Sequence, residues 1–141
     1  MKKIFGALLI LYFFLSGCDK KEDTIPSPNN ECFFGTNLDS TGISSKLLGK
    51  WEWQYSFSGW HAQYSDVANK GLSLEFKPSG VLIVQRNGVV TQTATWSLRS
   101  NLELITEPSV IETWGPVLFC DDQLLFQGGV FDGTNNYYKR D

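Results

Sequence analysis

Between Gly49 and Phe57 the chain alternates strictly, with Trp51, Trp53, Tyr55 and Phe57 separated by Glu52, Gln54 and Ser56. A period of two puts the four aromatics on one face of a strand and the polar residues on the other. Such a strand covers a core on one side and meets water on the other. Each ring buries about 150–250 Å², which at ~25 cal/mol/Å² is roughly 4–6 kcal/mol before entropy is counted. Leu72–Lys77 alternates in the same way and is turned by Pro78-Ser79-Gly80. Val81–Arg86 and Val89–Leu98 flank Asn87-Gly88, the strongest two-residue hairpin signal in the chain. In the second of these strands Val90, Gln92, Ala94, Trp96 and Leu98 share a face. Leu102–Leu104, one strand between Val110 and Cys120, Gln123–Gln127 after Asp121-Asp122, and Asn136–Arg140 complete the series. Ser44–Gly49 reads as a single helical turn with serine at its cap and glycine at its stop.

About eight short strands in 95 residues, joined by tight turns, predict an all-β, antiparallel up-and-down sheet. Left open it would have two unpaired edges, and closure into a barrel removes both. A sandwich is the competing closure. An eight-stranded barrel holds side chains or one small ligand inside.

The chain before these strands is organised differently. Lys2 and Lys3 precede an apolar run, Ile4–Leu15, whose twelve residues span only about 18 Å as a helix. That suits a signal peptide and is too short for a ~30 Å hydrocarbon core. Leu15-Ser16-Gly17-Cys18 resembles the lipobox of bacterial lipoproteins, which implies cleavage before Cys18 and lipidation of that cysteine. Two or more acyl chains, at ~0.8 kcal/mol per buried methylene, anchor a protein stably to a membrane. Lys21-Glu22-Asp23 resembles the export signal of Bacteroidetes surface lipoproteins, implying an outer-membrane or cell-surface address. Asp19 directly after the cysteine resembles instead an inner-membrane retention signal, which implies a periplasm-facing lipoprotein. The expected organisation is therefore a signal peptide over 1–17, a lipidated cysteine, flexible tether and lead-in over 18–46, and a barrel over 47–141. Pro26-Ser27-Pro28-Asn29-Asn30 marks the tether as polar and aperiodic.

Without Lys2 and Lys3 the chain carries 10 basic and 15 acidic residues, a formal charge of −5. No basic cluster lies outside the tether, so nucleic acid is not an expected partner. Cys32 and Cys120 remain as an even pair, which outside the cytoplasm invites a disulfide, the alternative being two separately buried thiols. Closing that loop would stabilise the fold by about 4–5 kcal/mol in the chain-entropy account.

The opening Gly49-Lys50-Trp51 after a short helical turn resembles the Gly-x-Trp start of lipocalins. LLGKW, LEFKPSGVLIVQRNG, TATWSL and the terminal YYKR together resemble the small lipocalin-like domain of Bacteroidetes lipoproteins, over residues 47–141. The central Thr-Asp-Tyr motif of larger lipocalins is missing. The resemblance implies that Trp51 closes one end of the barrel beneath Arg140, a cation–π pair worth roughly 0.5–2 kcal/mol. It also implies that the first loop lies across the open mouth. That loop, Ser58–Lys70, carries Trp60, His61 and Tyr64, which can stack on a ligand and hydrogen-bond it, or can plug the barrel. Trp53, Tyr55, Phe57, Phe76 and Trp96 are the expected lining of any interior cavity, and equally a plain core.

Catalytic chemistry is poorly supplied. His61 is the single histidine, there is no Gly-x-Ser-x-Gly, and no spaced set of calcium or zinc ligands appears. The expectation is a non-enzyme without cofactor or metal. It would either bind a small, partly apolar ligand in the mouth or, with a filled barrel, act as an interaction, inhibitor or accessory module for a protein partner that the sequence does not name. A mouth pocket of about 300 Å³ or more separates the first reading from the second.

Overall fold

The structure is a computed structural model and describes residues 32–33, 38–58, 63–128 and 133–141. Among the described residues a helix, α1 (Ser40–Leu47), precedes the strands β1 (Gly49–Ser58), β2 (Gln63–Ser65), β3 (Leu72–Phe76), β4 (Val81–Arg86), β5 (Val89–Leu98), β6 (Leu104–Glu107), β7 (Val117–Cys120), β8 (Gln123–Phe126) and β9 (Thr134–Arg140). A 3-10 turn, Ile111–Thr113, lies between β6 and β7.

The sheet is antiparallel throughout and runs β6-β5-β4-β3-β1-β9-β8-β7, with the short β2 paired to β1 off this path. Setting β2 aside, successive strands pair up to β6 and again from β7, and the first and last close on each other through seven register pairs between Trp51↔Arg140 and Ser58↔Thr134. The seam therefore falls between β6 and β7. There a bridge joins Glu103 to Pro116, and the Val117 amide donates to the Leu102 carbonyl at 3.2 Å. This is the expected all-β, up-and-down barrel, with β2 as a strand the alternation did not reveal.

Helix α1 is longer than the predicted single turn. Asp39, not a serine of the Ser44-Ser45 pair, caps it by accepting from the Gly42 amide at 2.7 Å. The helix lays Ile43 and Leu47 onto the core, and the Trp51 indole N–H donates to the Leu47 carbonyl at 2.8 Å. Helix and Trp51 thereby shut one end of the barrel. Arg140 lies 4.2 Å from the Trp51 ring and donates to the Leu48 carbonyl at 2.9 Å and to that of Lys46, so it also satisfies the end of the helix.

The four-aromatic stripe does not keep to one face. The β1–β9 register shifts between Trp53 and Tyr55, where Gln54 is the extra residue of a β-bulge. Trp51 and Trp53 point into the barrel core, and after the bulge Ser56 takes the inward position. Tyr55 and Phe57 are turned outward, onto a second cluster with Phe33, Leu125 and Tyr137. A period-two argument assumes an unbroken pleat, and one inserted residue reverses every side chain beyond it. The outer cluster is fastened by the Cys32–Cys120 disulfide, whose Cα atoms are 5.3 Å apart, and Phe33 meets Tyr137 edge to face at 5.9 Å. The disulfide that the even pair of cysteines invited is thus present, and Phe33 beside it is packed on the outer face.

Candidate functional site

The interior is occupied by side chains from all around the sheet. Trp51, Trp53, Leu72, Leu74, Phe76, Leu82, Val84, Ala94, Leu104, Val117, Phe119, Leu124, Phe126 and Tyr138 form one buried cluster. Trp96 is half-buried against it and meets the Phe76 ring edge to face at 5.5 Å. Its indole nitrogen is buried with no hydrogen-bond partner. Trp53 and Phe76 thus belong to the core, and Trp96 packs against it.

The open end is crossed by the stretch that precedes β7, the one strand expected between Val110 and Cys120. Residues 108–116 leave β6 and pass from one wall to the other. The Gln92 amide on β5 donates to the Ser109 carbonyl at 3.1 Å, and Arg86 on β4 reaches the Glu112 carboxylate at 2.7 Å. From β9, the Asn136 amide and the Tyr138 hydroxyl both donate to the Glu112 carbonyl, at 3.3 and 3.4 Å. Val110 enters the core cluster with 0% exposure, and its amide donates to the Thr106 hydroxyl at 2.8 Å. A polar relay continues inward from Glu112: Asn136 Oδ1 accepts from Ser56 at 2.6 Å, and Ser56 accepts from the Trp53 indole at 3.0 Å. Every buried polar group in that relay has a partner, which makes it costly to disrupt. Glycine is required at 115, where φ is +103° and a Cβ would meet the Gln127 carbonyl oxygen at 1.9 Å. In the first loop, β2 extends the β1 ladder with Phe57 opposite Tyr64. Trp60 and His61 lie outside the described residues, as do Cys18 and the tether.

Outside the barrel, β1, β2, β8 and β9 shape a shallow groove of about 240 Å³, lined by Gln54, Tyr55, Tyr64, Gln123, Tyr137, Tyr138 and Lys139. Tyr55 stacks on Tyr137 at 4.4 Å and leans on Tyr64 at 5.4 Å. Burial, with the neighbouring Tyr137 and Tyr64 hydroxyls adding to it, pushes the Tyr55 phenol up to about 12. Burial also raises Tyr137, and it raises the enclosed Tyr138 well above the ordinary phenol range, with the nearby Glu112 carboxylate acting in the same direction. All three phenols are neutral donors and acceptors at neutral pH, suited to hydrogen bonding and ring contact rather than proton transfer. The structure thus joins Tyr55 and Tyr64, two of the expected ligand residues, with Tyr137, Gln54, Gln123 and Lys139, which sequence reasoning did not single out. It separates them from Trp53, Phe76 and Trp96. A second surface recess of about 240 Å³ lies over Lys50, Glu52, Trp53, Leu72, Ser73, Gln85 and Asn87.

Among the described residues, Cys32, Cys120 and Asp121 place three metal-type ligand atoms together, but the two sulfurs are bonded to each other and offer no thiolate. No protein-family model, no curated protein and no solved structure matches this chain. The functional reading therefore rests on the geometry.

Proposed function

We propose that this chain is a lipid-anchored lipoprotein whose filled, lipocalin-like barrel works without catalysis as a protein-interaction module. The observation that supports this reading is the closure of the mouth by Val110 and its hydrogen-bonded segment, over an interior taken up by aromatic and aliphatic side chains. A barrel of this size holds either side chains or one ligand. What such a barrel offers to other molecules is its outer face and its loop tips. Cys18 supplies the membrane anchor in this proposal, and the Cys32–Cys120 bond fixes where the tether meets the barrel.

A second reading, capture of a small partly apolar molecule, moves from the mouth to the outer tyrosine groove, whose three rings and two amides are the features that favour it. Native mass spectrometry of the full chain purified from its own host separates the two. The interaction reading expects the bare protein mass plus acyl chains, and a stoichiometric retained small molecule overturns it in favour of the groove. Cys18→Ala tests the anchor independently: the protein should leave the membrane fraction, and a variant that still pellets after a carbonate wash refutes lipidation at that residue.

A further inference from the structure

The exposed large apolar side chains among the described residues are Val67, Val89, Val90, Ile111 and Trp114, and all five lie at the open end. They sit on three separate segments: the β2–β3 connection, the tip of the β4–β5 hairpin and the segment that closes the mouth. One side chain ties these segments together. The Arg86 guanidinium reaches Asn69 Oδ1 at 3.4 Å and Glu112 Oε1 at 2.7 Å, and the Asn87 amide donates to the Gly71 carbonyl at 2.8 Å. The Trp114 indole N–H is held by the Ser109 hydroxyl at 3.0 Å, so the ring is presented in a set orientation. This is a preorganised apolar rim with its one central charge already paired, the composition found at the core of protein interfaces.

The charges beside it indicate the partner. Asp66 and Lys70 are exposed on either side of Val67 and have no ion-pair partner among the described residues. A two-fold axis beside Val67 would set Asp66 of one copy against Lys70 of the other, and the reverse, which is the reciprocal pairing that an isologous contact requires. We propose that two copies of this chain associate open end to open end through this rim, with two reciprocal Asp66–Lys70 pairs beside Val67. The inference builds on the interaction-module reading by naming the partner as a second copy. Cys32 is bonded to Cys120 at the closed end.

The test is sedimentation of the full chain, purified in detergent, in a charge-swap set. Asp66→Lys makes the loop all-basic and Lys70→Asp makes it all-acidic, so each variant alone faces like charge across the axis. Each should dimerise at least about tenfold more weakly than the native chain, since like-charge juxtaposition is costly. Mixed in equal amounts, they should form a heterodimer and recover the native affinity to within about threefold, because the two complementary pairs are restored. Trp114→Ser should weaken the native dimer by about tenfold with little change in melting temperature. A native chain that stays monomeric up to about 100 µM overturns the proposal. So does a mixture no tighter than its components, or a dimer indifferent to Trp114→Ser. Binding of the monomeric chain to phosphatidylcholine vesicles, or to a different protein, through the same rim also overturns it. None of these failures bears on whether the barrel retains a small molecule, which the mass measurement reads separately.

Discussion

The two ends of the barrel solve the same problem with opposite chemistry. At the closed end, Trp51 is fully covered, its indole bonded to α1 and its ring capped by Arg140. Charges there are matched locally: Lys50 with Asp141 and Glu52, Lys77 with Glu75, Arg99 with Glu103, and Lys139 with Asp122. Exposed pairs of this kind contribute little energy each, and the large apolar side chains left exposed among the described residues lie elsewhere. At the open end, among the described residues, Val110 on an irregular segment covers the core, and that segment leaves Ile111 and Trp114 in water. Two tryptophans of equal chemistry thus have opposite exposures, 0% for Trp51 and 59% for Trp114. The closed end is built for stability. The open end keeps apolar surface that stability alone does not require, which is the mark of a surface used for association.

The largest effect should come from the closed end. Trp51→Ala removes the ring that joins helix, barrel floor and Arg140, and should cost roughly 3–5 kcal/mol in denaturant melts, in line with other buried aromatic truncations. A loss under about 1 kcal/mol, the size of an ordinary surface change, would mean that this end is not the anchor of the fold. Val110→Ala probes the seal at the other end. It deletes two buried methyls from a single-residue plug, and should cost about 2 kcal/mol, transfer and cavity together. It should also bring an increase in binding of a hydrophobic dye as the mouth loosens. A near-neutral melt with no dye binding would show that the segment merely rests on the barrel.

Most of the fold was legible in the sequence, because strand alternation and the Asn87-Gly88 turn are local signals that the observed ladders obey. Trp51 beneath Arg140 and the Cys32–Cys120 bond were legible as well, the first from a resemblance and the second from an even count of cysteines. What escaped were the features set by tertiary contacts. The Gln54 bulge has no glycine or proline to announce it, yet it sends Tyr55 and Phe57 to the outside. The mouth plug has no periodicity, since a segment spanning a barrel end is held by scattered hydrogen bonds and not by a ladder. Val110 and Glu112 therefore lie in a stretch whose pattern promised a single strand, and that strand is β7. The one available hint was Gly115-Pro116, which breaks a strand before β7.

A smaller effect is expected on the outer face, and it depends on pH. The Tyr55 phenol is raised to about 12 in the folded chain, mainly by burial, against an ordinary value near 10. Its neutral form is the one the fold favours, so the unfolded chain loses this proton first as pH rises. The contribution is fully present below about pH 10 and disappears between roughly pH 10 and 12. Tyr55→Phe should therefore flatten the alkaline fall in melting temperature within that window and leave the curve at pH 7 nearly unchanged in slope. An unaltered alkaline limb would mean that the ring sits in more water than its stacking on Tyr137 indicates.

The smallest effect on stability should come from Trp114, and it is the sharpest test of the difference between the ends. Trp114→Ala deletes a ring as large as that of Trp51, but one whose surface is mostly in water and whose only side-chain bond is to the exposed Ser109 hydroxyl. Little apolar area is returned to solvent by its loss, and no buried donor is left unpaired. The melt should shift by no more than ~0.5 kcal/mol, as surface substitutions usually do. The same change made together with Trp51→Ala should be additive, because the residues sit at opposite ends and share no partner. A shift approaching that of Trp51→Ala would mean that Trp114 holds the mouth segment in place, and the rim would then be part of the seal. A small shift would leave a large, oriented aromatic ring with no role in stability, which is the condition that an association surface has to meet.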